Sequence, residues 1–548
     1  MQRRWVKRVA LLGALAPVAA VLGSCGPLAT GFQQEVVASG FDLPTTWVQT
    51  ADPAVQYVVE KAGVVRVVQG GTVRAQPLVD LSSRVNDIGD RGLVGAALRG
   101  NQLYLAYTYE DPTLPIDGAG QSQRITRVTV DPATQTADPA TEQVILGRTT
   151  GAACFDHWDT DDCFPSNQAL HTVGDLAFDS AGKLWVSVGD GGIPFFNSDE
   201  VSYRAQDIHV LAGKVLRIDP DTGLGVAGNP FFEPAKPTSN ASRVYAYGFR
   251  NPFRFTFRPG SGVPYVGDVG FGRYEEIDVL KAGGNYGWPC YEGKSKEQFA
   301  KRAVCQPMYK AKTPHIAPAA YYEHSDQGIS ITGGVFYAGT SNYPSDHVGN
   351  YVYGDYGAFV RRQAFTSSDK ASGGATELVS KQAAGSPVKF GIGPDGNVWY
   401  LSIYPGELRR IVYTGDTPTS TTSTSTTTTT APPGTPPSVA VTAPADRVRV
   451  ADGATVDITA TATDAEDGVL PASSVTIEVT YLHYSAGTVH VHPYQTFAGS
   501  TTGSFLVSGA HGPGHYRITA KATDSAALTT TSPPIDVCIA GYDYGPCA

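Results

Sequence analysis

The chain has 548 residues and a formal net charge of −10, from 41 Lys and Arg against 51 Asp and Glu. That balance, with no long basic run after the first residues, argues against nucleic acid as a partner. The length suits several domains. The 61 Gly and 38 Pro spread along the chain suit many short strands joined by turns.

Residues 1–25 read as an export signal. Arg3, Arg4, Lys7 and Arg8 form a basic start, and the apolar run VALLGALAPVAAVLG follows. Pro17 and the small residues around it argue against a lasting membrane span. The segment ends Leu22-Gly23-Ser24-Cys25, which resembles a bacterial lipobox with Cys25 as the lipidated residue. Ordinary secretory cleavage nearby is the alternative. The expected address is a cell-surface lipoprotein or a secreted protein, touching the membrane only through a lipid anchor. Cysteine usage agrees with export. Setting Cys25 aside leaves three sequence-local pairs: Cys154 with Cys163, Cys290 with Cys305, and Cys538 with Cys547. Other connectivities stay open at this level. No pair has the close CxxC spacing of a structural zinc site.

From Phe32 to Tyr413 the chain is β-patterned, and its units resemble one another loosely. LAFDSAGKLWVSVGD followed by GKVLRIDP parallels FTFRPGSGVPYVGDVG followed by EEIDVL, and FGIGPDGNVWYLS followed by GELRRIVY. About six such units occur, and no long stretch shows helical periodicity. Repeats of a few strands that cannot bury their faces alone predict a β-propeller over 32–413, with a funnel on its axis and loops crowding one mouth.

The stretch His171 to Gly192, HTVGDLAFDSAGKLWVSVGDGG, reads strand, turn, strand. His171 stands before the first strand and Asp190 at the end of the second. Antiparallel pairing brings both to one rim, a general base with a carboxylate to orient it. Gly189, Gly191 and Gly192 are expected to leave room for a ligand beside Asp190.

Residues 414–437 contain TPTSTTSTSTTTTTAPPGTPP, a Thr/Ser/Pro linker that cannot form a core. Residues 438–548 follow as a second β domain, with strands such as VDITATATD and HYRITAKATD at the length of an immunoglobulin-like sandwich. His483, His490, His492, His511 and His515 gather there, as a metal or ligand site or as scattered surface groups. Asp464, Glu466, Asp467 and Asp524 either hold calcium or cap solvated turns.

Seven pieces occur in the order of the glucose/sorbosone dehydrogenase family and resemble it. They are DRGLVGAAL at Asp90, HTVGDLAFD at His171, SVGDGG at Asp190, GKVLRIDP at Gly213, YGFRNPFRF at Arg250 and Asn251, VGDVG at Asp268, and GGNYGWPCYEG at Gly283. The resemblance implies a six-bladed β-propeller over 32–413, so with the Thr-rich linker and the Ig-like β-sandwich read above the whole chain is expected to be all-β. The best-known members of the family are soluble aldose dehydrogenases that use pyrroloquinoline quinone (PQQ). Their mechanism implies that His171 takes the proton of the anomeric hydroxyl while a hydride passes to the quinone, and that an external electron acceptor reoxidises it. Asp190 holds the imidazole, and Arg250 stabilises charge on the quinone oxygen, with Asn251 beside it. Gly270 and Phe271 align with positions whose carbonyls hold calcium. GGNYGW shapes the site, with Tyr286 and Trp288 at the mouth. The related propeller of animal hedgehog-interacting proteins binds a protein ligand, so the fold alone does not imply catalysis.

The chain departs from the catalytic pattern where cations hold the three PQQ carboxylates. Tyr356 stands in place of a lysine, and Ser386 and Val388 in place of two arginines. Lys389 is one residue out of register, which on a strand sends it to the other face. Leu170 replaces an acidic residue, and Asp90 replaces a glutamine. Arg91, Arg361 and Arg362 are candidate replacements for the missing charge. The competing expectation is a non-catalytic, calcium-containing propeller that binds carbohydrate or protein at the cell surface.

Overall fold

Six antiparallel sheets succeed one another along residues 32–413. The computed structural model describes residues 28–415 and 436–547, except 115–120, 156, 158, 167–168, 193–200, 202, 325–327, 329, 452, 486–487, 508–513, 526–527 and 542–546. The innermost strands are Pro44–Gln49, Leu93–Arg99, Val173–Phe178, Pro252–Phe257, Ile331–Phe336 and Pro387–Ile392, and they number the sheets one to six. Each touches the next, and the sixth touches the first, so the ring closes. The outer strand of sheet six is the earliest in the chain: Phe32–Ser39 pairs antiparallel with Glu407–Tyr413. Closure by hydrogen bonds between the two ends removes two free edges.

Alternation explains why these short runs form sheets stacked face to face. Strand Leu184–Val188 is buried throughout. Val186 enters the layer between sheets two and three, and Trp185 the layer between sheets three and four. A comparable apolar layer fills each of the six junctions. Both faces are therefore apolar, and the strands read as near-continuous hydrophobic runs.

The funnel expected on the axis is filled below the mouth. Every inner strand carries a register shift at its start, at Thr45, Val94, Gly174–Asp175, Phe253, Thr332 and Val388. A bulge leaves its extra residue unpaired, and a buried carbonyl needs a donor. Arg254 supplies it to four of them. Its Nε donates to Val388 O (2.9 Å), Nη1 to Val94 O (3.0 Å) and Gly174 O (2.5 Å), and Nη2 to Thr45 O (2.6 Å). Asp175 lies 3.8 Å from Arg254 and 2.6 Å from Lys389 Nζ. One buried carboxylate thus sits between two cations on the axis.

The cysteine connectivity that the sequence leaves open is the local one. Cys154 bonds Cys163, Cys290 bonds Cys305 and Cys538 bonds Cys547, with Cα–Cα distances of 5.3, 5.4 and 5.6 Å. These separations lie within the range that a disulfide spans. Cys163 is fully buried, and Cys547 is held at its carbonyl by Arg449. The Asn240-Ala-Ser sequon is buried, and its amide donates to Thr160 O and His209 O.

Beyond residue 436, two further sheets enclose one apolar core. Strand Thr455–Asp464 alternates strictly between exposed and buried positions, as expected for a sheet with one wet face. Asp464 caps its own turn at Glu466 N and Asp467 N, Asp467 accepts from Ser525, and Asp524 from Leu528 N. These carboxylates serve turns. Among the described residues no cluster of His, Cys, Asp or Glu could hold a metal. His515 is buried 3.4 Å from Asp536, while His511 and the side chains of His483, His490 and His492 lie outside the described residues. So does Cys25 with the whole leader. No described helix is long and apolar enough to cross a membrane.

Replacing Arg254 with Met keeps the volume, strands four buried carbonyls and leaves Asp175 to Lys389 alone. The expected loss is about 3–5 kcal/mol of stability, read as a lower unfolding midpoint in thermal and denaturant melts.

Candidate active site

His171 and Asp190 meet at the mouth, where the sheet-three hairpin opens. The hairpin pairs antiparallel, with Val173 opposite Val188, so the residues just outside it are neighbours. His171 Nδ1 lies 2.7 Å from Asp190 Oδ1, and both groups are buried. His171 has a left-handed backbone, φ 53°, a conformation that a non-glycine residue holds only under constraint. The constraint is local: its N–H donates to Asp90 Oδ2 (3.2 Å), and its carbonyl accepts from Gly191 N (3.1 Å).

Asp190 is held at every polar atom. Its N–H donates to Arg250 O, and Oδ1 accepts from Gly192 N (2.8 Å). Trp288 Nε1 donates to Oδ2 (2.7 Å). Arg204 Nε donates to its carbonyl (2.8 Å), and Arg204 Nη2 to Gly191 O (2.9 Å). Burial pushes the Asp190 carboxyl up, but His171, Arg250 and the Gly192 N–H outweigh it, and the net shift is downward.

Arg250 stands beside the pair, with its guanidinium carbon 5.8 Å from the Phe271 ring and 5.7 Å from the Trp288 ring. Nη1 donates to Val269 O (3.0 Å), whereas the buried Nε has no partner among the described residues. The N–H groups of Arg250 and Asn251 both donate to Asp268. Gly270 N and Phe271 N donate to Glu275 and Glu292.

Several expectations need correction. Gly189, Gly191 and Gly192 do not open space for a ligand. A Cβ on Gly189 would lie 2.2 Å from His171 O, and one on Gly191 2.5 Å from Arg204 Nη2, so the missing side chains serve the chain's own close approach. Lys389 is spent on Asp175 (2.6 and 2.8 Å) and is not free for a cofactor. Asp90 supports the His171 backbone. Arg91 donates to Ser166 O (3.0 Å), Arg361 stacks 3.6 Å over Phe359 near Glu377, and Arg362 pairs with Asp346. Tyr356 packs at the mouth between sheets six and one, its phenol pushed up by burial and by Tyr404 and Asp90. Trp288 lines the mouth and also reaches Asp190, a bond that its motif did not reveal. Arg204 has no motif signal at all.

Sheet four carries four buried carboxyls behind Arg250. Asp268 and Glu275 are each pushed up to about 7, chiefly by burial. Glu276 and Asp278 are raised further, by burial and by neighbouring carboxyls. Neither oxygen of Asp278 has a partner among the described residues.

Unfolded carboxyls titrate near pH 4, so between about pH 4 and 7 the native state binds more protons and stability falls as pH rises. In EDTA, Asp278→Asn is expected to raise the melting temperature at pH 8 and to lose that advantage at pH 5. Trp288→Phe removes one donor to a buried carboxylate, at a cost of about 1–3 kcal/mol. The depressed Asp190 carboxyl contributes stability that is lost as pH falls. Acid unfolding of this variant is therefore expected to begin at higher pH, as followed by circular dichroism.

Residues 42–402 match the family model described as Glucose / Sorbosone dehydrogenase. HIPL1 protein of Arabidopsis thaliana is 31% identical over 243 residues, covering 41% of this chain and 34% of the plant protein. Aldose sugar dehydrogenase YliI of Escherichia coli is 32% identical over 162 residues, covering 28% and 40%. The chain thus spans about a third of the plant relative and two-fifths of the bacterial one. Among solved structures, a PQQ-bound aldose sugar dehydrogenase from Streptomyces coelicolor superimposes with a TM-score of 0.52 at 18% identity, over 70% of this chain and 99% of that one. A glucose dehydrogenase gives 0.54 at 18%, over 69% and 98%. These likenesses show a shared all-β fold of the propeller type, and the chain belongs to the glucose/sorbosone dehydrogenase family.

Proposed function

We propose that the six sheets are the blades of a six-bladed propeller and that its mouth binds an aldose whose anomeric hydroxyl yields its proton to His171. The observation that carries this reading is the buried 2.7 Å contact of His171 Nδ1 with Asp190. An acceptor at Nδ1 keeps the proton there and leaves the Nε2 lone pair as the base. The carboxylate then stabilises the imidazolium. Arg250 meets negative charge on the substrate oxygen through its unpartnered Nε. Asn251, whose side chain makes no hydrogen bond among the described residues, stands ready for a sugar hydroxyl. The carbonyls of Gly270 and Phe271 would hold calcium, which supplies Lewis acidity when bound. Residues 438–548, read as an Ig-like sandwich beyond the linker 414–437, would give the propeller reach at the cell surface.

The acceptor half of an oxidation is a different matter, because the residues present do not fit PQQ. Its three carboxylates need cations, yet Tyr356 is a half-buried phenol, Val388 is buried and apolar, and Ser386 N is held by Ser402 and Tyr404. Lys389 is neutralised, and Asp90 adds negative charge. Burying unpaired charge costs several kcal/mol per group, which weighs against this quinone in the site. The misfit favours a second reading, a non-catalytic propeller that binds carbohydrate or protein.

The full chain is to be titrated with calcium, PQQ and a panel of aldoses, with an artificial electron acceptor present. Expected are sugar binding that weakens about tenfold in His171→Ala, the worth of one hydrogen bond, and no PQQ binding at micromolar concentration. Micromolar PQQ binding with turnover would establish a complete quinoprotein dehydrogenase instead. No binding of any aldose would overturn the sugar reading and leave a protein ligand.

A further inference from the structure

The segment between strands Tyr274–Val279 and Ala320–Glu323 climbs the side of sheet three. It pairs in parallel at Tyr247 with Asn285, reaches the mouth at Trp288, and then turns outward. Against the segment Tyr203–Asp207 it borders an open cavity of about 670 Å³. Arg204, Gln206 and Asn285 line it, and the same side chains, with Trp288, wall it off from the mouth. Arg204 donates across to Asp190 and Gly191, and Gln206 bonds Asn285 and Trp288 O.

We propose that this cavity is an accessory binding site for a neutral sugar ring, distinct from the His171 centre. Its volume lies within the range of small-molecule sites. One wall is polar. Asp207 is exposed, and its Oδ1 accepts His209 N–H (2.9 Å). The other Asp207 oxygen and the hydroxyls of Tyr203 and Thr313 take no partner among the described residues. The facing wall is apolar, made by Val304, Pro307, Met308 and Ala311. A pyranose has this division, with C–H groups on its faces and hydroxyls on its rim. A carboxylate pairs two adjacent hydroxyls and repels phosphorylated or acidic sugars. Both walls are fixed before any ligand arrives. The Cys290–Cys305 disulfide and the Tyr309 hydroxyl on Cys290 O hold the outer segment. Lys214 Nζ holds the inner one at the carbonyls of Arg204, Ala205 and Ala212 (3.1, 2.9 and 2.6 Å). Preorganisation of this kind lowers the entropic cost of binding.

The ligand class rests on the sugar reading of the mouth, whereas the cavity does not. Glucose, maltose and cellobiose are to be titrated calorimetrically into the full chain and into Ala311→Trp, Asp207→Ala and His171→Ala, with melting curves to confirm folding. Two binding events are expected in the unmodified chain. One is expected to vanish in Ala311→Trp, to weaken at least tenfold in Asp207→Ala, and to persist in His171→Ala. A single event that His171→Ala weakens and Ala311→Trp leaves alone overturns the accessory site and keeps the mouth. A single event lost only in Ala311→Trp keeps the cavity and overturns the mouth. No event with any of the three sugars overturns both.

Discussion

The Arg254 guanidinium joins five sheets. It leaves sheet four and meets carbonyls of sheets one, two, three and six. Those carbonyls point inward because each inner strand bulges at its start, and a bulge frees a backbone group that burial cannot leave unmet. The geometry of the whole ring thus converges on one planar fork of donors, a shape that ammonium does not offer. Sheet five joins by close packing. Gly333 is left-handed, and a Cβ there would sit 2.7 Å from Arg254 O.

The same plug sets the chemistry above it. With the axis closed, the site is a bowl reached from the mouth. Asp175 neutralises Lys389 as part of the plug, so that lysine is held below the bowl. The base half of the site is highly ordered, with His171 in a strained backbone and Asp190 bonded at each polar atom. The half that would hold an anionic cofactor is built from a phenol, a serine and a valine. On the proposed reading, a site so divided would take a neutral, hydroxyl-rich molecule more readily than a tricarboxylate.

Order in the bowl comes from outside sheet three. Trp288 arrives from sheet four, Arg204 from the loop after the hairpin, and Asp90 from the loop between sheets one and two. Lys214, buried and bonded to three carbonyls, fixes the segment that carries Arg204. The outer segment that brings Trp288 to the mouth also walls the neighbouring cavity. The geometry of the mouth and the space beside it therefore depend on the same disulfide-tied excursion.

Much of this was legible in the residues. Alternating apolar runs and Gly/Asp turns specified short strands in repeating units, because a strand's two faces follow a period of two. The hairpin from His171 to Asp190 was legible too, since antiparallel pairing brings its two ends together. Short loops pointed Cys154 to Cys163 and Cys538 to Cys547, because ends that close in sequence meet at little entropic cost. What only the tertiary structure decided was non-local. Arg254 looked like any strand arginine until four carbonyls from distant sheets closed around it. Lys389 looked like a spare cation until Asp175, 214 residues earlier, claimed it. The glycines beside Asp190 looked like room for a ligand and proved to be room for the chain itself. Local pattern determines which face a residue takes; only ring closure determines what waits there.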